Sequence, residues 1–431
     1  MISRGIQTAA LALILLLCAQ SSSIAVSVTG SLTSVAWARE NRLADAEDAE
    51  ENLLLYEYLR FHATNIGSSS LAAHFSGRVG WDRFASSGDG EEYKARLYQG
   101  YLDWKLSNKS TLRLGRQFLP NDIGFWQMDG IRLETRRTGF ISPMLYAGIS
   151  VLPWTIKGDS EPIIGFELKT ERIRSIRTRL NFLTIFDNEG ADWDLLDIRG
   201  VDKAILGLQF DTFGEGVIDL LESPHRRLSL FGRGNIDLLT KEIIDGQASA
   251  EVRITPKGYV YAEYHKETPL FPADSIFSVF AVEPLRQLTF GVDQDVMSFL
   301  GLQGWYARQF FDSDPVNRYS AGFTIERQRE VLLAIRLERL DDIDTHYWRA
   351  YSHIGKRLWQ GLEVSLNNYY NNYERPRALK AVDAYSIQLN VRYRLNHRIQ
   401  ALIRLEDNIN PDYKYNVRAL GYLQMRFGFD K

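Results

Sequence analysis

Between Tyr415 and Phe429 the chain alternates. Ala419, Gly421, Leu423, Met425, Phe427 and Phe429 share one parity, and Arg418, Leu420, Tyr422, Gln424 and Arg426 share the other. A β-strand sends successive side chains to opposite faces, so one face here is apolar and ends in aromatics while the other is mostly polar. A soluble sandwich buries such an apolar face. A transmembrane barrel turns it to lipid and keeps a wet lumen inside. One strand does not choose between them; recurrence of the pattern behind an export signal does.

Met1 to Ala19 holds one charge, Arg4, followed by an apolar run from Ala9. That run suits a signal peptide and is too short to span a bilayer as a helix. Small-residue cleavage sites follow at Ser23-Ile24-Ala25 and Ala36-Trp37-Ala38, so residues 1–38 read as signal and cleavage region, cut after 25 or 38. Cys18 lies inside the run, preceded by Leu17 where a lipoprotein site needs a small residue. Its removal leaves no cysteine, which excludes disulfides, thiolate metal sites, a cysteine nucleophile and covalent c-type haem. Residues 39–53 are acidic and alanine-rich and read as a periplasmic lead-in.

From 54 to 431 the chain is a series of alternating segments. They lie near 54–64, 70–84, 92–106, 110–117, 127–137, 142–151, 161–171, 175–187, 201–212, 226–236, 243–254, 257–267, 286–296, 300–311, 317–327, 330–340, 346–356, 359–371, 383–394, 397–407 and 414–428. In 383–394, Tyr385, Ile387, Leu389, Val391 and Tyr393 oppose Ser386, Gln388, Asn390, Arg392 and Arg394. Tight connections such as Thr255-Pro256, Arg357-Leu358 and Leu395-Asn396 alternate with longer ones, as the turns and loops of an outer-membrane barrel do. Beyond the signal no apolar stretch is long enough for a helical span, and lipid tolerates no open strand edge, so a membrane reading requires closure. The fold class expected is an all-β antiparallel up-and-down transmembrane barrel of about 20 strands, within 18–22. The segments are odd in number, whereas bacterial barrels use even numbers. Either 54–64 is no strand, or 213–225 or 268–284 hides another.

The net charge of −3 speaks against a generic nucleic-acid binder. The seven histidines are scattered, and no H-E-x-x-H, G-x-S-x-G or P-loop occurs, so no catalytic residue, metal or cofactor is expected. The lumen is the functional surface, because rings of charged side chains set selectivity in a wet pore. Inward parities carry Arg177, Arg179, Arg253, Arg392, Arg394, Arg404, Arg418 and Arg426, with Glu363 and Glu406. They also carry Arg233, Arg336, Glu251, Glu338, Asn367, Gln388 and Asn390. Arginine outnumbers acid, which favours anions unless these charges pair off across neighbouring strands.

Leu114-Gly115-Arg116-Gln117, followed by Asp129-Gly130 and a strand, resembles a stretch of the large bacterial outer-membrane porins, alginate-export-type barrels among them. The resemblance implies that Arg116 and Asp129 are pore residues. Asp274 to Phe280 is similar to loops in porins of bacteria that bear multihaem cytochromes, where the barrel serves as a sleeve for an electron carrier. The function expected is therefore passive diffusion of small hydrophilic, preferably anionic, solutes across the outer membrane. The alternative is a sleeve around a partner such as a multihaem cytochrome, and a soluble β binding protein comes third. The partners expected are outer-membrane lipid and the barrel-assembly machinery, met through the C-terminal strand. A second copy of the chain and a periplasmic or extracellular cytochrome remain open, and no nucleic acid is expected.

Overall fold

The computed structural model describes residues 26–43, 49–67, 70–82, 93–119, 126–135, 141–151, 161–170, 176–186, 201–212, 228–268, 285–311, 315–327, 331–341, 346–374, 381–411 and 413–429. They form one antiparallel sheet of 22 strands in which each pairs with its sequence neighbours. The strands are β1 (Ser27–Leu43), β2 (Glu50–Thr64), β3 (Leu71–Asp82), β4 (Tyr93–Lys105), β5 (Ser110–Phe118), β6 (Gln127–Thr135), β7 (Ile141–Val151), β8 (Pro162–Thr170), β9 (Ile176–Phe186), β10 (Val201–Thr212) and β11 (Leu228–Asp237). They continue as β12 (Glu242–Thr255), β13 (Gly258–Glu267), β14 (Leu285–Met297), β15 (Leu300–Phe310), β16 (Val316–Arg327), β17 (Val331–Asp341), β18 (His346–Trp359), β19 (Leu362–Glu374), β20 (Ala381–Arg394), β21 (Ile399–Ile409) and β22 (Tyr413–Phe429). β1 pairs with β22, from Val28 opposite Phe429 to Leu43 opposite Tyr413, which closes the sheet into a transmembrane barrel and leaves no free edge.

The closing strand corrects the domain reading. Residues 27–43 and 50–64 are wall strands, so the stretch 39–53 is no lead-in and the barrel starts well before 54. The expected segments correspond to β2–β22, and the strand that makes their number even is β1. The alternative places for it, 213–225 and 269–284, lie outside the described residues, as do 1–25 and 187–200.

Outward parities carry the large exposed apolar side chains. Ile387 is 45% exposed, Leu405 47%, Leu208 56% and Leu145 57%, which is what a lipid-facing wall shows when lipid is absent. Short turns gather at the end that holds both termini: Pro256-Lys257, Ser298-Phe299 and Gln360-Gly361. Gly361 takes φ +92°, and its carbonyl accepts a bond from the Arg394 N–H at 2.7 Å. That left-handed conformation favours glycine in so tight a turn.

The inner face is not uniform. Over β5–β12 it carries a continuous buried cluster: Leu119, Met128, Met144, Tyr146, Ile163, Leu183, Ile185, Ile205 and Ile244, with Trp126 packed against it. Gly115, Gly130 and Gly148 lie side by side across β5, β6 and β7 on this inner face. A Cβ on Gly130 would stand 2.3 Å from the Ala147 carbonyl oxygen and 2.6 Å from the Gly148 Cα. Only residues without a side chain let the backbones fold together this closely, and the row makes a concave corner in the wall.

Candidate pore lining

The wall from β16 to β22 presents polar side chains inward, and the ladder places them in rows. His353, Asn367, Gln388, Glu406 and Arg418 are successive cross-strand partners on β18–β22. His353 Nδ1 donates to Asn367 Oδ1 at 2.6 Å, Asn367 Nδ2 to Gln388 Oε1 at 2.9 Å, and Gln388 Nε2 to Glu406 Oε2 at 3.1 Å. Arg418 Nη1 completes the row on Glu406 Oε1 at 3.5 Å. Side chains directly opposite on one face sit close enough to bond laterally, so alternation alone builds this chain. Nearer the short turns, Arg404 Nε donates to Asn390 Oδ1 at 2.9 Å, and Arg392 lies 3.7 Å from Glu363.

Toward the long connections the wall is hollowed. Arg336, Glu338, Arg349, Tyr351, Tyr369 and Asn371 line a recess of about 420 Å³. The Tyr351 and Tyr369 rings are tilted at 40° with centroids 5.0 Å apart. Glu338 is engaged by Arg318, whose Nε donates at 2.9 Å, and by Arg349 at 3.9 Å. Arg336 makes no ion pair or side-chain hydrogen bond to a described residue. The recess thus combines a cation that has no ion pair among the described residues with two aromatic faces and an amide, groups that suit a small solute with an anionic end and a flat or ring-shaped body.

The expected inward set stands inward: Arg177, Arg179, Arg253, Arg392, Arg394, Arg404, Arg418, Arg426, Glu363 and Glu406 all occupy the parity opposite the exposed apolar residues. They divide in two. Some cations are compensated: Arg179 approaches the fully buried Glu167 at 3.7 Å, Arg233 pairs with Asp245 at 3.0 Å, and Arg392 and Arg418 have the partners above. Arg253, Arg394 and Arg426 have no ion pair or side-chain hydrogen bond among the described residues. All three stand close to the short-turn end.

Arg116 and Asp129 are a correction. They do bind each other, Nε to Oδ1 at 2.7 Å and Nη2 to Oδ2 at 2.5 Å, but on the wrong side for a pore. The ladder runs Arg116–Asp129–Ile149, parallel to Leu114–Ile131, and Ile149, Leu114 and Ile131 are 45%, 40% and 46% exposed on the outer face. Inside, the same strands place the buried Gln117 and Met128. Gly115 adopts φ +119°, and a Cβ there would lie 2.3 Å from the Gly100 carbonyl oxygen. The motif therefore builds the glycine corner and braces it externally with a bidentate ion pair.

A column on β2–β5 was not anticipated. His62 stacks on His74 at 3.9 Å, His74 on Tyr101 at 4.5 Å, and the Arg113 guanidinium covers Tyr101 at 3.9 Å. Asp103 holds Arg113 through two bonds of 2.7 and 2.9 Å. The available signal was register: His62 and His74 are cross-strand partners on β2 and β3.

No family model and no curated protein matches the chain. Among solved structures it is similar to OccK3 (OpdO) of Pseudomonas aeruginosa, with 11% identity over 94% of this chain and 96% of that one and a TM-score of 0.46. OccK2 (OpdF) of the same organism, in complex with glucuronate, shows 10% identity over 93% and 96% with a TM-score of 0.44. OpdK with vanillate shows 9% identity over 94% and 99% with a TM-score of 0.45. These are likenesses at low identity, and the pore lining described above rests on its own geometry.

Proposed function

We propose that the chain is an outer-membrane channel through which small hydrophilic, anionic solutes diffuse passively, without a covalent step. The observation that carries this reading is the set of inner-wall arginines without an ion pair among the described residues: Arg336 beside the recess and Arg253, Arg394 and Arg426 near the short-turn mouth. Fixed cations in a water-filled bore with low-dielectric walls raise the local concentration of anions. Glu251, Glu263 and Asp293 form an acidic sector on the inner faces of β12–β14, so these arginines give the bore a cationic side rather than a uniform charge.

Single-channel conductance of the purified protein in a planar bilayer under a salt gradient tests it. Discrete steps with a reversal potential of anion-selective sign are expected. Silence from folded, inserted protein would overturn the reading, and a cation-selective sign would overturn its charge preference.

Export belongs to the same reading, through a signal peptide cleaved after Ala25. Cleavage after Ala38 would remove most of β1, the strand that joins β2 to β22. The mature N-terminus is then Val26, which N-terminal sequencing checks. Insertion by the barrel-assembly machinery would use β22 with its terminal Phe427 and Phe429. The sleeve alternative needs a clear bore along the whole wall, and it gains nothing from an inner face where Met128, Leu183 and Ile205 are fully buried.

A further inference from the structure

Arg78 and Arg96 are direct cross-strand partners on β3 and β4. Both stand on the inner face: Leu97, next to Arg96, is exposed on the outer one, as is Leu55 next to Tyr56. Their guanidinium groups lie over tyrosine rings. Arg78 is 4.7 Å from the Tyr56 centroid and 6.0 Å from that of Tyr98, and Arg96 is 5.2 Å from that of Tyr98. Neither donates a hydrogen bond to a described residue or pairs with a described carboxylate, and Arg78 Nε is buried without a partner among them. Lys94 follows on the same face, opposite Gly80. Like charges directly opposite one another destabilise a sheet, so the wall carries this pair at a cost.

The adjoining column shows what a stacked arginine of this wall looks like with its fork filled. Arg113 covers Tyr101 at 3.9 Å and donates to both oxygens of Asp103, at 2.7 and 2.9 Å. Stacking uses the flat face of a guanidinium and leaves its N–H edge for an oxyanion. At Arg78 and Arg96 the faces are covered in the same way, but the edges meet no described acid. Asp103 is taken by Arg113 and His74, and Asp82 stands at the end of β3.

Two backbone devices hold the rings in place. A Cβ on Gly80 would come 2.8 Å from the Tyr56 ring, so the glycine makes the room in which that ring lies. On β4 the register shifts: Ser76 pairs with Gln99 and Gly77 with Leu97, which leaves Tyr98 as the extra residue of a bulge. Bulges re-aim side chains, and this one sends Tyr98 to the side of the two arginines. It is pinned from β5 and β6, where Gln127 Nε2 donates to the Tyr98 carbonyl and Arg116 Nη1 to the Leu97 carbonyl at 3.4 Å. The motif at 114–117 thus reaches the bore indirectly, by bracing the bulge.

We propose that Arg78 and Arg96 bind the phosphoryl group of a doubly charged solute crossing the bore. The inference rests on the channel reading and adds a solute class that the recess on β17–β19 does not specify. A phosphomonoester carries close to two negative charges near neutral pH and offers three acceptor oxygens around one centre. Two guanidinium forks on adjacent strands, with Cβ atoms about 5 Å apart, match that geometry, whereas a single carboxylate fills only one of them.

The test is binding of inorganic phosphate to the full-length mature protein in a phosphorus-free detergent, read as saturable broadening of the phosphate resonance by NMR, with malonate and acetate as competitors. The wild type should bind phosphate in preference to both. Arg78→Gln/Arg96→Gln should bind it about a hundred-fold more weakly, and Arg96→Lys, which keeps the charge and loses the fork, about tenfold. Equal binding by the double variant would overturn the proposal, and so would displacement of phosphate by malonate or acetate at equal concentration. Unchanged heat-modifiable mobility shows that the variant is folded. If the double variant does not fold, Arg96→Gln alone serves, and wild-type binding by it is the overturning result. Conductance of the same preparation keeps the two readings apart. Phosphate binding by a protein that conducts nothing would defeat the channel reading and leave this one standing, and an anion-selective channel that does not bind phosphate would do the reverse.

Discussion

The walls β5–β10 and β17–β22 are made of the same alternating strands, yet one hides its inner side chains and the other wets them. In the first, the inner positions hold Gly115, Gly130, Gly148 and Gly165 beside Met128, Ile163, Leu183 and Ile205. Glycines let the backbones close up, and the apolar side chains fill the concave corner. In the second, the inner positions hold Arg336, Tyr351, Asn367, Gln388, Arg404 and Arg418; apart from Arg336 they bond sideways along the ladder, and apart from Asn367 they stay accessible. Full burial of an apolar side chain stabilises by about 1.5–3 kcal/mol, whereas a lateral polar bond contributes about 0.5–1.5 kcal/mol net. One wall therefore holds the barrel together, and the other is the one that meets the solute on the function proposed above. The outward alternation that makes a barrel is common to both, and the choice of inner residue separates them.

The sharpest way to break this contrast is at the corner. Gly130→Val should abolish the folded barrel, because even its Cβ would overlap the backbone of β7. The cost should exceed about 4 kcal/mol, visible as loss of heat-modifiable mobility on a gel. Gly421→Ala, whose new Cβ would meet only the Ala36 Cβ at 3.9 Å, should fold normally. Next comes the filling of the corner. Leu183→Ala should destabilise by about 2–5 kcal/mol in urea titration, whereas Leu420→Ala on the inner face of β22 should cost less than half as much. If the two cost the same, the division into a structural and a functional wall fails.

Accessibility sharpens the comparison further. Cys18 is the single cysteine and is lost with the proposed cleavage after Ala25, so single introduced thiols report cleanly. A membrane-impermeant maleimide should label Ser386→Cys rapidly and Met128→Cys slowly or not at all. The smallest effect belongs to the field. Arg336→Gln should leave stability within about 0.5 kcal/mol of wild type and move the reversal potential toward neutral selectivity. Arg392→Gln, which frees Glu363 from its partner, should move it further, because it leaves an acid unopposed.

Much of this is legible in the sequence. Alternation in stretches such as Tyr385–Tyr393 exposes one face and one period, and both survive in the barrel. β1 was not legible: Ser-Val-Thr-Gly-Ser-Leu-Thr-Ser-Val-Ala-Trp-Ala is small and weakly patterned on both faces and follows a stretch that reads as an export signal, so it reads as a cleavage region. Its strand character comes from two long partners, β2 and β22, a tertiary cause that no local window contains. The pore residues split along similar lines. Parity placed Arg404 and Arg418 inward correctly, whereas Arg116 and Asp129 rested on a motif, and the parity set by Leu114 and Ile131 was the better guide. Which arginines are neutralised was equally hidden, because pairing depends on register between strands, as with Glu406 and Arg418.

The bond between β1 and β22 carries a consequence for how the protein is made. The first wall segment to emerge from the ribosome has as its neighbour the last one, so the longest sequence separation in the molecule is also one of its most extensive strand contacts. A chain that lacks β22 keeps two raw hydrogen-bonding edges, on β1 and β21. Synthesis of β22 is thus a precondition for closure of this sheet. Until then the polypeptide has to be kept from pairing with its neighbours, and β22 is the strand whose arrival ends that exposure.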